Sequence, residues 1–398
     1  MSKLFHACIS NGLCSCEELD LPASDYELLD MAERLRLEPG RKAELEILRY
    51  PDSFSYLEKC IPALPDIHQL NTLARRLNEI DEADTRAMAV FEGLIGVKMQ
   101  KGELPIPIPA LIDFAYSADC CHVVEDVDTD YKLGRFLAEN GFLPEAQELA
   151  DTAFELLDFM QIGKTHREAE NSVITSFGYV EQHSEVHPVS KNMDFLPRQP
   201  DYAILLEVSK GFFDDPVYDS GKSVQLKLPA SQETLDAVLE TVEAWDWREV
   251  GWSCLDCRAP ALADMISDGE EGIDFLNQMA QRLADLEPKA LTAYKALLEA
   301  MECKDLHGAE ALMDSLDEYI FSPQHSSPVD VANGELSLIL CAPDAATLAP
   351  HLNLYQYGQA LIEKCGGVLT PYGLIERSDG QPVQGMEESP QQGGMEMM

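Results

Sequence analysis

Alternating apolar runs and helical stripes follow one another along this chain, and the same succession is spelled twice. Leu4–Ser10, Glu18–Leu21 and Ala43–Leu48 alternate with the period of strands, and Ser24 stands as a helix N-cap between the second and third. Tyr202–Val208, Val224–Leu228, a helix behind Ser231 and a strand near Trp252 follow the same plan. Each set predicts a β-α-β lobe. A helical lobe comes next: Ile67, Leu70, Leu73, Ala74 and Leu77 share one face at 3.6 spacing. Further helices are expected around Thr85–Ile95 and Leu291–Ala300. The third, mixed α/β lobe holds a short helix (Ala110–Ala118; Ala309–Leu316), a mixed segment and closing strands within Val173–Glu181 and Val368–Glu376.

Residue identities carry the duplication as well. Leu-Asp-Leu-Pro-Ala-Ser at 19–24 returns as Leu-Lys-Leu-Pro-Ala-Ser at 226–231. Ile67, Leu70, Asn71, Ala74, Arg76 and Leu77 return as Ile273, Leu276, Asn277, Ala280, Arg282 and Leu283. Leu157, Gln161, Gly163, Val173, Thr175, Gly178 and Glu181 return as Leu352, Gln356, Gly358, Val368, Thr370, Gly373 and Glu376. Three landmarks in one order mean two modules, at 1–182 and 201–377. Residues 183–200 read as a polar, proline-containing linker, and 378–398, rich in Gly, Gln, Met and Pro, as a disordered tail. The fold class expected is α+β: two tandem modules of three small lobes in series, elongated and sharing no single large core.

Charge changes the picture. The 398 residues carry 71 Asp+Glu against 29 Lys+Arg, a formal charge of −42. The excess is even, with 35 acids against 16 bases up to residue 190 and 36 against 13 after it. Apolar content of 45% suffices for real cores, so the acid does not mark a disordered tail. A balance this negative argues against direct binding to nucleic acid or to an anionic membrane. The start has no apolar run for a signal peptide, and no stretch approaches the ~18 residues of a membrane span. Eleven scattered cysteines, an odd count, do not look like a disulfide framework. A cytoplasmic location is expected.

Catalytic signatures fail one by one. Ser220-Gly221-Lys222-Ser223 resembles a P-loop ending, but Pro216 holds the leading glycine position and a strand follows where a helix is needed. Asp126, Asp128 and Asp130 have the spacing of a calcium loop, but Tyr131 stands at the turn glycine and Leu137 at the bidentate glutamate. Cys254 and Cys257, like Cys14 and Cys16, lack a second ligand pair at zinc spacing, and buried thiols are expected. His122 beside Cys120 and Cys121 has Glu318-Tyr319-Ile320 at the comparable place in module 2. No cofactor, metal or catalytic residue is assigned, and no enzyme is expected.

The acids themselves are clustered. Glu79, Asp81, Glu82 and Asp84 sit at one helix junction, and Asp113, Asp119, Glu125, Asp126, Asp128 and Asp130 form a second set. Module 2 offers Asp264, Asp268, Glu270, Glu271 and Asp274, then Asp285 and Glu287, then Asp314, Asp317 and Glu318. Carboxylates four apart on a helix rise by roughly 6 Å, near the phosphate spacing of one DNA strand. Like charges so placed cost a few tenths of a kcal/mol per pair. Duplex DNA carries one charge per ~1.7 Å, so 42 charges correspond to roughly 70 Å, about 21 base pairs. A DNA mimic fits these figures, and so does a merely solvating acidic surface.

The landmarks resemble the ArdA family of antirestriction proteins, carried by conjugative elements and phages. The resemblance rests on the LPAS turn into the first helix, the Ala43–Tyr50 strand, the helix Ile67–Leu77 with Leu70-Asn71, and above all the ending. There Leu354-Tyr-Gln-Tyr-Gly358, Gly367, Thr370, Gly373 and Glu376 look like the family's closing motif. Phe159, Gln161, Gly163, Thr175, Gly178 and Glu181 keep a diverged version. The resemblance implies a curved, three-lobed acidic protein that mimics bent DNA and occupies the DNA groove of type I restriction-modification enzymes, against their specificity and methyltransferase subunits. Family members are usually single modules that dimerise through the last lobe. Two modules in one chain therefore imply either an internal pseudo-dimer or a homodimer. Two other readings stay open: sequestration of another basic DNA-binding protein, such as a CRISPR effector or a transfer regulator, and an enzyme using the module 2 cysteines.

Overall fold

The computed structural model describes residues 2–12, 16–37, 43–147, 149, 151–211, 222–268, 271–340, 344, 347–348 and 351–383. It is an α+β protein whose two halves run through the same order of elements. By its contacts the chain divides into two compact units, Met1–Ala23 with Glu38–Leu196, and Ser24–Leu37 with Pro197–Met398. The division near 196 falls inside the segment read as a linker. Ser24–Leu37, read from sequence as part of the first module, groups instead with the second unit.

In the first unit, β1 (Phe5–Ser10) pairs antiparallel with both β2 (Cys16–Leu21) and β3 (Glu44–Arg49). The sheet is all-antiparallel, and its three strands fall where the alternation places them, one more than the shorthand β-α-β names. Phe5, Ala7 and Ile9 alternate inward along β1, which is how a half-buried strand fixes its register. Helix α2 (Ile67–Ala83) turns Leu70, Leu73, Ala74 and Leu77 into the core. Helix α3 (Thr85–Gln100) is buried nearly all round, and its Gly93 and Gly96 lie against Val180 and Val173. Helix α4 (Ile108–Ala115) follows. Next come β4 (Cys121–Val124), α5 (Asp130–Glu139), a short α6 (Asp151–Phe154), α7 (Phe159–Ala169), β5 (Ser172–Thr175) and β6 (Gly178–Gln182), with sheet order β4-β6-β5. The segment after β6 is not a free linker: the His187 amide donates to Ser117 Oγ and the Ser190 amide to Asp113, tying it to α4.

The second unit repeats these elements. β7 (Ile204–Lys210) is central between β8 (Ser223–Leu228) and β9 (Val250–Cys257), with helix α8 (Gln232–Thr241) in the β8–β9 connection. Helices α9 (Ala263–Asp268), α10 (Ile273–Asp285), α11 (Pro288–Ala300) and α12 (Leu306–Asp314) lead to β10 (Tyr319–Ser322). Helices α13 (Pro328–Ile339) and α14 (Leu354–Cys365) come before β11 (Val368–Thr370) and β12 (Gly373–Arg377), in sheet order β10-β12-β11. One apolar cluster runs from Ala203 through α8, α10, α11 and α12 to Ile375. The expectation that the lobes share no large core is therefore corrected. Tyr294, Ala296, Leu297 and Leu298 bury several sides of α11, which packs against α12 and the closing strands β11 and β12. Val331, Ile362 and Leu374 form a satellite core under α13 and α14.

Helix α1 (Asp25–Arg34) is held in this unit by polar contacts. Ser24 Oγ and the Tyr202 hydroxyl donate to Asp256 at 2.6 and 2.9 Å, while Lys295 Nζ pairs with Asp30 at 2.7 Å and Glu33 at 2.9 Å. Of the expected tail, residues 378–383 follow β12, and the Val383 amide donates to Gly366. The remainder, from 384, lies outside the described residues. Among the described residues no helix is long and apolar enough to cross a membrane.

Candidate functional site

The repeat landmarks prove to be joints. Asn71 accepts from the Ala23 amide at 2.6 Å and donates to its carbonyl at 3.0 Å, and Asn277 does the same to Ala230 at 2.7 and 3.0 Å. The LPAS turn and the Leu-Asn helix are thus one clasp, made once in each unit. In the closing motif, Thr175 and Thr370 Oγ1 donate to the carbonyls of Gly178 and Gly373, whose φ of 118° and 151° suit glycine. A Cβ on Gly163 would meet the Asp130 carbonyl at 1.9 Å, and one on Gly358 the Pro328 carbonyl at 1.7 Å. These glycines let the last helices cross. The motifs carry scaffold, and the acids between them carry the surface.

Many of the predicted carboxylates are engaged internally. Asp84 caps α3 by accepting from the Ala87 amide at 3.0 Å, and Glu79 pairs with Arg76 at 3.0 Å. Asp113 accepts from the Ser190 amide at 2.7 Å. His187 at 2.8 Å holds the Asp119 carboxyl below its usual range, and Lys132 at 2.7 Å does so for Asp128. Asp130 receives Arg167 Nε at 2.7 Å and Nη2 at 3.0 Å, a fork that joins α5 to α7 and likewise lowers its carboxyl. In the second unit Arg282 pairs with Asp314 and, at 3.2 Å, with Glu310. Asp285 accepts from Gln281 at 3.0 Å. Glu271 is tucked in beside His307 at 3.8 Å.

The rest face water. Glu125 and Asp126 lie on an exposed turn after β4, with Asp126 at φ 64°. Glu125, Asp126, Asp264, Asp274, Glu287, Asp317 and Glu318 are all exposed. Among the described residues none of these seven side chains makes a hydrogen bond or an ion pair. The side chains of Asp81, Glu82 and Asp268, and the whole of Glu270, lie outside the described residues, as do Cys14, Pro216, Ser220 and Gly221.

One acidic face escaped the sequence reading. Glu233, Asp236 and Glu240 project from α8 into solvent, opposite Leu235 and Val238. Their spacing of three and four was the available signal. Helix α1, the repeat counterpart, spends Asp30 and Glu33 on Lys295.

The thiols with a shifted pKa are shifted away from the thiolate. Burial pushes the thiols of Cys60, Cys120, Cys121, Cys254, Cys303 and Cys365 up, and Cys257 to about 12. Among the described residues no group of three or more His, Cys, Asp or Glu is arranged to hold a metal ion. Compared with protein-family models and with curated proteins, the chain matches none.

Proposed function

We propose that this chain is an ArdA-like antirestriction protein: a non-enzymatic DNA mimic that inhibits type I restriction-modification enzymes in the cytoplasm. Exposed carboxylates stand in for phosphates, and a basic DNA groove formed by specificity and methyltransferase subunits is the surface they occupy. The observation that carries this reading is how the charges are allotted. Lys132, Arg135, Arg167, Arg248, Arg282, Lys295 and Arg377 are taken up in intrachain pairs, while acids on both units stay exposed and unpaired. A field so one-sided attracts a basic groove and repels nucleic acid itself. Raised thiol pKa values favour this reading over a cysteine-dependent enzyme.

Titration of the protein into cleavage of unmethylated duplex by a purified type I enzyme tests the reading. Cleavage is expected to stop near one equivalent of protein per DNA-binding site. Undiminished cleavage at tenfold excess contradicts it.

A further inference from the structure

Trp245 is 89% exposed, the most exposed large apolar side chain among the described residues. Its backbone is nonetheless firmly tied. Helix α8 ends with Glu243 at φ 60° and the Ala244 amide donating to the Leu239 carbonyl, a Schellman closure. The Trp245 amide donates to Glu249 at 3.2 Å, and Arg248 forks onto Asp246. Lys210 Nζ donates to the Glu243 carbonyl at 2.7 Å. Below the turn, Trp247 packs edge-on against Trp252 at 6.4 Å. A braced turn that offers a whole indole to water has the form of an interface anchor, because with the backbone already fixed only two side-chain torsions remain to be ordered on binding while the ring buries much surface.

The surroundings name the partner's chemistry. At the turn itself Arg248, Lys222 and Lys210 pair with Asp246, Glu243 and Glu249, and among the described residues Glu233, Asp236 and Glu240, exposed on the helix that ends just before the indole, pair with no cation. A second copy of this chain, also at −42, is repelled by such a face. We infer that the α8 face and Trp245 form one docking edge for a basic protein surface: the acids line up on its cations and the indole enters an apolar pocket there. This rests on the proposed function and assigns an anchor within it.

The test is competition between the full chain and a labelled duplex for a purified type I enzyme. Trp245→Ala is expected to weaken displacement at least tenfold, ~1.4 kcal/mol, with an unchanged dependence on salt. Trp245→Phe should recover most of the loss. The triple change E233Q/D236N/E240Q should weaken displacement and flatten the salt dependence. If wild-type protein fails to displace the duplex, the proposed function falls and the anchor with it. If wild-type displaces it and Trp245→Ala does so equally well, only the anchor falls. A dimer in solution that Trp245→Ala abolishes would reassign the edge to a second copy and overturn the inference.

Discussion

A carboxylate here does one of two jobs, and its neighbours decide which. Asp130 is structural. Its side chain and that of Arg167 are only 17% and 23% exposed, and their fork ties two helices. Asp130→Asn should cost about 1 kcal/mol at pH 7, between an exposed pair and a buried one. Arg167 holds the folded-state carboxyl below the ordinary value of 3.8. Its contribution is therefore complete above that value and is lost as pH falls through the lower folded one. Denaturation of the two proteins should thus differ equally at pH 7 and pH 5 and converge in stronger acid. Asp126 is the opposite case: exposed, unpaired and at φ 64°. Asparagine tolerates that backbone region, so Asp126→Asn should leave stability within about 0.5 kcal/mol while weakening enzyme binding. Lys295 is buried between Asp30 and Glu33. Lys295→Met leaves Asp30, among the described residues, only the Tyr372 hydroxyl and Glu33 only that of Thr292, and should lower stability by about 3 kcal/mol, measured by chemical denaturation.

At the scale of elements, the repeat was legible because its landmarks are joints. The asparagine clasp predicts that Asn277→Ala, which frees the amide and the carbonyl of Ala230, costs about 2–3 kcal/mol. The crossing of α13 and α14 should fail in Gly358→Ala, whose methyl has no room beside the Pro328 carbonyl. Loss of amide protection confined to α13 and α14 is the expected signature in hydrogen exchange. Strands with clear alternation and helices behind Ser24 and Ser231 were readable, since both signals are local. β4 and β10 were not, because each has four residues and its partner strand lies about sixty residues away in sequence, as in Cys121↔Gln182 and Tyr319↔Arg377. Nor could the sequence reveal that α1 belongs with the second unit: Lys295, the partner of Glu33, is 262 residues distant. Which acids are consumed and which are free is tertiary information of the same kind, visible only when Arg167 meets Asp130 or Arg282 meets Asp314.

At the scale of the molecule, the net charge of −42 divides between two units built on one plan. Each base in an internal pair cancels one negative charge even where it holds two acids, as Lys295 holds Asp30 and Glu33 and Arg282 holds Glu310 and Asp314, so pairing leaves the imbalance intact. The mimicry claim makes one demand: protein and duplex must compete for a single basic surface, and the attraction must be electrostatic. The direct measurement is equilibrium binding of this chain to a purified, DNA-free type I enzyme, with and without duplex, across ionic strength. Mutually exclusive binding, with an affinity that falls steeply as salt rises, is the predicted result. A complex that holds protein and duplex together, or an affinity indifferent to salt, would contradict it.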